Sequence, residues 1–278
     1  MLIKKMMGFS LGPIVTAFIG LVSVPLLTRF VTPETYAQVS LAQVTVQLLI
    51  LVALAGFDQG FVREFYEQNS HKKLLLHTLG LNLIICLVVV IGIFMFRENR
   101  STFLFGYIDV FSIILIMLII IETTILRYIL LNLRMKGKAI PFSLLLILQS
   151  TANVLFIIAF IFSGMMTDLQ AILSANALSI TIAILFFLIK SEKSEKSEKN
   201  IKFDRVLFNK LTTYSLPLLF SSLFMWILYS ADQYMIVVLS DYKQLGLYAA
   251  AYKLCAALLL LQTIVSTYWV PISLQWAK

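Results

Sequence analysis

The sequence predicts an all-α, polytopic membrane protein, a bundle of helices that each cross a bilayer. Of the 278 residues, 60% are hydrophobic and only 13% charged, against about half and about a quarter in a soluble domain. The charges cluster between apolar runs of roughly 20 residues, the helix length that spans a bilayer core. The runs are continuous, which excludes the alternating strands of ~10 residues that build an outer-membrane barrel.

Eight spans are expected, at 8–30, 36–56, 74–96, 109–131, 139–163, 168–189, 212–239 and 245–270. The first opens after Lys4-Lys5 and reads as a span, not a signal peptide. Met6 to Leu27 is long for a signal core, no small-x-small site follows, and Arg29 and Pro33 close it. Seventeen of the 22 Lys and Arg fall on the N-terminal side of the spans and four on the other, with Lys253 inside the last span. The positive-inside rule makes the N-terminal side cytoplasmic, and an even number of spans returns Lys278 there.

Between spans six and seven, Ser-Glu-Lys repeats three times over 191–199. With no apolar residue to bury, this stretch reads as a solvated linker. It divides the chain into a six-helix bundle over 1–190, a polar cytoplasmic linker over 191–210, and two helices over 211–278. The later unit opens like the first. Leu216-Pro217 echoes Gly12-Pro13, Asp232 stands where Arg29 does, and Leu245–Tyr252 parallels Tyr36–Gln43. Six spans separate the copies, so both enter from one face, as in a parallel repeat about the membrane normal.

The net charge of +8 follows membrane orientation, and no nucleic-acid role is read from it. Cys86 and Cys255 lie in apolar runs and read as buried thiols. His71 and His77 are the only histidines, so no metal site and no cofactor are expected.

Ionisable groups within spans are costly and face a bundle interior or a wet cavity. Glu122 and Arg127 in span four are five residues apart, so they point in different directions and do not pair. Asp232 and Lys253 lie about 10 Å from the same membrane face on consecutive helices and are expected to be neighbours, as an ion pair. Ser40, Gln43 and Gln47 share one face of span two. Gln149 and Asn153 share one face of span five, and span six carries Asn176. Such amides either glue helices together or line a hydrated cavity. Pro13, Pro141, Pro217 and Pro271 are expected near cytoplasmic helix ends, where proline is tolerated.

Several phrases, in order, resemble one family. They are Gly12-Pro13, Pro25-Leu-Leu-Thr-Arg29, Thr32-Pro33-Glu34-Thr-Tyr36, and Gly56-Phe-Asp58-Gln59 running on to Arg63, Tyr66 and Glu67. In the later unit they are Ser230-Ala-Asp232-Gln233-Tyr234, Leu245-Gly246 with Tyr248, Tyr252 and Lys253, and Trp269-Val-Pro271. The set is similar to Wzx-type oligosaccharide (O-antigen or polysaccharide) flippases of the multidrug/oligosaccharidyl-lipid/polysaccharide exporter superfamily, and it covers nearly the whole chain. Gln233 stands where an arginine is common.

The resemblance implies a MATE-like fold of two six-helix bundles around a central cavity, of which this chain supplies one bundle and two helices of the next. It looks C-terminally truncated. It also implies movement of an undecaprenyl-pyrophosphate-linked oligosaccharide across the bacterial inner membrane, by a transporter and not an enzyme. Candidate pyrophosphate or glycan ligands are Arg29, Arg63, Arg127, Lys253, Gln43, Gln47, Gln149 and Asn153. Asp58, Glu122 and Asp232 are candidates for coupling or ion pairing. Expected partners are the lipid-linked oligosaccharide, the bilayer, and a polysaccharide polymerase or a chain completing the second bundle. The alternatives are a drug or metabolite exporter of the same superfamily and an inactive remnant. A membrane acyl- or glycosyltransferase fits poorly, because His71 and His77 have no acid partner at useful spacing beyond Glu64 and Glu67.

Overall fold

The computed structural model describes residues 2–68, 70–95, 109–164, 168–190 and 205–255. The described residues are helical, with no strand among them: α1 (Leu2–Phe30), α2 (Pro33–Leu54), α3 (Phe57–Glu64), α4 (His71–Met95), α5 (Val110–Met135), α6 (Ala139–Ser163), α7 (Asp168–Lys190), α8 (Arg205–Leu239) and α9 (242–255). All but α3 and α9 are long and apolar enough to cross a membrane. The rest of the eighth expected span lies outside the described residues, as does most of the Ser-Glu-Lys linker.

Three elements differ from expectation. The stretch after span two is the separate helix α3. Its phrase mixes Asp58, Gln59, Arg63 and Glu64 with Phe57 and Phe61, so it is too polar to read as a span. Secondly, α8 begins at Arg205, inside the stretch read as linker. Leu207 and Leu211 bury in a cluster with Phe57, Phe61, Phe65 and Tyr128, which holds that first turn to the bundle. This also places Pro217 inside α8, as the early start of α1 places Pro13 inside that helix. Thirdly, Cys255 is exposed while Cys86 is buried. An apolar run in a membrane protein faces lipid as readily as core, so hydrophobicity alone does not bury a thiol.

The bundle is built outward from α2, α5 and α7, whose buried side chains form the largest apolar cluster. Helix α6 packs between α1 and α7, and α4 packs on α2 and α5. Small residues set the closest contact: Gly12 N–H donates to Ser143 Oγ at 3.1 Å, and a Cβ there would stand 2.8 Å from the Ser143 Cα. Close backbone approach of this kind is how membrane helices gain packing where no hydrophobic drive between them exists.

The second span is broken. Thr32 caps α2, with Pro33 in its first turn. At the other end Ala55 (φ 46°) and Gly56 (φ 76°) turn the chain into α3. The turn leaves the carbonyls of Ala53 and Leu54 without helical partners, inside an apolar bundle where each would cost free energy. Asn82 of α4, fully buried, donates its amide to both, at 2.6 and 2.7 Å. The Tyr128 hydroxyl of α5 donates in turn to Asn82 Oδ1. Replacing Asn82 by Leu strands both carbonyls. We expect about 1–3 kcal/mol of lost stability, read as a lower unfolding midpoint in detergent, with Tyr128→Phe costing less.

Candidate functional site

A cavity of about 400 Å³ opens where the second span breaks. One wall is α2 and the turn, with Gln47, Ile50, Leu51, Leu54 and Gly56. Asp58 and Gln59 come from α3, Thr123 and Arg127 from α5, and Leu219 and Ser222 from α8. It lies between α2, α3, α5 and α8. Non-helical backbone at membrane depth is tolerated only where protein buries it or where it lines a cavity, and Gly56 meets that condition.

The charged pair at this wall is Arg127–Asp58. The guanidinium Nη2 donates to Asp58 Oδ2 at 3.1 Å, and Gln59 Nε2 donates to the same oxygen at 3.0 Å. The Asp58 side chain is 8% exposed and that of Arg127 47%. The carboxylate is therefore the buried anchor, and the half-exposed guanidinium stands in the cavity wall.

Helix α8 lies antiparallel along α2 and α3. At the Lys/Arg-rich end, Lys210 Nζ bonds to Glu64 Oε2 at 2.8 Å and to Glu67. The Arg63 guanidinium sits 4.3 Å above the Tyr214 ring. Glycines allow the approach, since a Cβ on Gly56 would stand 2.5 Å from the Ser215 carbonyl oxygen and one on Gly60 2.9 Å from Ser215 Oγ. At the other end the contacts are neutral. Ser40 Oγ donates to Gln233 Oε1 at 2.9 Å, Thr45 and Tyr234 share a hydrogen bond of 2.7 Å, and Trp226 Nε1 donates to Val44 O at 3.1 Å.

The expected site residues are thus distributed. Arg127, Asp58 and Gln47 meet at the cavity, joined by Gln59, Thr123 and Ser222. Arg63 stands nearby on Tyr214. Gln43 on α2 and Gln149 and Asn153 on α6 are half-buried and do not line it. Arg29 is exposed in the last turn of α1. The expected Asp232–Lys253 pair does not form: Asp232 accepts from the Tyr248 hydroxyl, and Lys253 Nζ lies 5.5 Å from the Tyr36 ring centroid. Equal depth placed them together, but rotation about each helix axis, which depth does not fix, gave each an aromatic partner. Glu122 and Arg127 are unpaired with each other, as spacing required; Glu122 bonds to Thr181 on α7. Glu64 and Glu67 serve Lys210, and His71 stacks on Phe65 at 4.1 Å. Asn82 escaped the sequence reading, although one amide in the middle of an otherwise apolar span was signal enough.

Comparison with known proteins adds to this geometry. Residues 2–276 match the family described as polysaccharide biosynthesis protein. The succinoglycan biosynthesis transport protein ExoT of Rhizobium meliloti (strain 1021) is 31% identical over 83 residues, which is 30% of this chain and 16% of ExoT. Among solved structures, the MATE multidrug transporter DinF-BH superposes with a TM-score of 0.73 at 14% identity, over 95% of this chain and 62% of that one. A MOP superfamily transporter from Pyrococcus furiosus gives 0.62 at 18%, over 98% and 67%. At such identities these structures establish the fold. The chain spans less than two thirds of DinF-BH and aligns with about a sixth of ExoT.

Two outcomes follow from the charges. A double-mutant cycle on Asp58→Asn and Arg127→Ala should give a coupling of about 1–3 kcal/mol, between the values for exposed and buried pairs. Arg127→Ala alone should be the most destabilised, because it leaves Asp58 buried and unpaired. Secondly, Lys210 holds the Glu67 carboxyl below its usual 4.5. A group with a depressed folded pKa stabilises fully above its unfolded value and loses that contribution as pH falls through the folded one. The unfolding midpoint in detergent should therefore drop as pH falls below 4.5, and drop less in Lys210→Met.

Proposed function

The chain belongs to the polysaccharide biosynthesis protein family, and from that premise we propose that it forms part of a flippase for a lipid-linked oligosaccharide. In this reading it is a multi-pass protein of the bacterial cytoplasmic membrane with its N-terminus in the cytoplasm. The cargo is an undecaprenyl-pyrophosphate-linked glycan moving to the periplasmic leaflet. The observation that carries the reading is a cavity at a helix break, between the first six-helix unit and α8, with an anchored arginine in its otherwise largely apolar wall.

The physics suits such a cargo. The lipid tail stays in the bilayer while the pyrophosphate and the glycan pass within protein. Arg127, preorganised by Asp58, offers the anion charge-assisted hydrogen bonds. Gln47, Gln59, Thr123 and Ser222 offer hydroxyl and amide groups that match sugar hydroxyls. The seam between α8 and the first unit supplies the surfaces along which two bundles rock. The remainder of the second wall comes from further helices, in this chain's partner or continuation.

The test is complementation in a bacterium that lacks its own O-antigen flippase and carries the matching glycan genes. The chain is expressed alone and joined to the later helices of a related flippase. Restored surface polysaccharide in either form supports the reading, and restoration by the joined form alone places the second wall outside this chain. Arg127→Ala should lower display about 10- to 100-fold, the loss of one charge-assisted hydrogen bond of about 1.5–3 kcal/mol. If neither form restores display, with protein in the membrane and lipid-linked glycan made, the reading fails for that glycan class.

A further inference from the structure

Glu122 plays no part in the cavity, yet it is the carboxylate nearest the middle of the first unit. It lies halfway along α5, about 20 Å from Asp109 at 1.5 Å per residue. Its Oε1 is 2.5 Å from Thr181 Oγ1 on α7. Its Oε2 is shielded from solvent and has no hydrogen-bond partner.

Among the described residues no cation faces it from the helices packed on α5. These include α2, α3, α4, α6, α7 and, through Leu207 and Leu211, α8, whose Arg205 and Lys210 lie in its first two turns. In α2 the titratable groups are Glu34 and Tyr36, near the far end. On α3, Asp58 is engaged by Arg127 and Glu64 by Lys210, and Arg63 lies on Tyr214. The basic groups of α4 are His71, Lys72, Lys73 and His77, all in its first two turns, and beyond them it carries only the Cys86 thiol, beside Thr124. Helix α6 has no charged residue, and α7 has Asp168 and Lys190 at its two ends. On α5 itself Arg127 is committed to Asp58. An ionised Glu122 would thus be a charge in an apolar bundle with one oxygen unserved, a state that proteins avoid by neutralising the group.

The hydroxyl of Thr181 suits the neutral form. Its oxygen lies within hydrogen-bonding distance of both Glu122 Oε1 and the Ala177 carbonyl, the latter at 3.0 Å. A threonine hydroxyl has one proton and two acceptor sites. Facing a carboxylate, it must give that proton to Glu122 and leave the Ala177 contact unmade. Facing a carboxylic acid, it accepts from the Glu122 O–H and donates to Ala177 O. Both distances are then filled by real hydrogen bonds, and Oε2 is left as a neutral carbonyl oxygen.

We propose that Glu122 and Thr181, both half-buried, form a proton-binding site at the α5–α7 contact. The step is simple: the carboxylate takes one H⁺ from water to become the acid, and returns it on release. The neighbouring residue, Thr123, lines the cavity, and Arg127 follows within a turn and a half. A change at the α5–α7 contact is therefore carried by one rigid helix to the cavity wall. Proton binding itself does not depend on the cargo; its coupling to transport rests on the flippase reading. A sodium ion is the poorer occupant, since one carboxylate and one hydroxyl fall short of the several oxygen ligands hard cations take.

Infrared difference spectroscopy on the full chain in liposomes, titrated with pH, tests the site without any cargo. A protonated-carboxyl C=O band should be present near neutrality, disappear on alkalinisation, be lost in Glu122→Gln and remain in Asp58→Asn. Thr181→Val, which keeps the carboxyl, should shift the band and keeps the test decisive if Glu122→Gln does not fold. A band unchanged in Glu122→Gln, or unmoved in Thr181→Val, overturns the proton site. Removal of the band by sodium at fixed pH overturns it in favour of a metal ion. In the complementation assay, full display by a Glu122→Gln form that has lost the band overturns the coupling alone, whereas failure of the wild type there leaves the infrared result standing.

Discussion

A backbone that stops being helical inside an apolar bundle must find partners for its own carbonyls, and the architecture around α2 is organised by that requirement. The chain turns at Ala55–Gly56 with two residues at positive φ. Asn82 reaches across from α4 to hold the freed carbonyls, and Tyr128 of α5 holds Asn82. This buried network ties three helices to one point. Because the turn is held there, α3 swings into its own direction and carries Asp58 to Arg127.

The seam between α8 and the first unit uses different chemistry at its two ends. Ion pairs and a cation–π contact hold the basic end, where Lys210 answers Glu64 and Glu67 and Arg63 covers Tyr214. Such contacts weaken with salt and with protonation. Neutral hydrogen bonds hold the other end, through Gln233, Tyr234 and Trp226, and Gly246 of α9 lies against the Pro33 backbone, with no room for a Cβ. The cavity sits between the two. A helix fastened unequally along its length can part at one end while the other holds, which is the motion that rocking bundles require.

Polar residues inside the membrane are few, and nearly every one has a distinct occupation. Ser40 and Thr45 fasten α2 to α8, Gln47 reaches the cavity, and Asn82 serves backbone. Asp232 and Lys253 illustrate the cost of leaving a charge alone: each finds an aromatic partner, a tyrosine hydroxyl in one case and a tyrosine ring in the other. Glu122 stands apart, because among the described residues a single hydroxyl is its partner.

The number of long apolar runs, their lengths and the skew of Lys and Arg are properties of composition along the chain. The sequence by itself therefore determined an all-helical membrane bundle, the order of its spans and the family phrases. It also determined that Glu122 and Arg127 do not pair, since helical periodicity alone separates residues five apart. Three things were decided only by the tertiary structure. Which face of each helix turns inward sent Gln149 and Asn153 away from the cavity and separated Asp232 from Lys253, because in an apolar solvent lipid and core look alike to a hydrophobic residue. The break after α2 depended on Asn82, 28 and 29 residues along the chain from the carbonyls it holds. The start of α8 depended on Lys210 finding Glu64 and on Leu207 finding Phe61 and its neighbours, contacts that no local pattern in a charged linker contains.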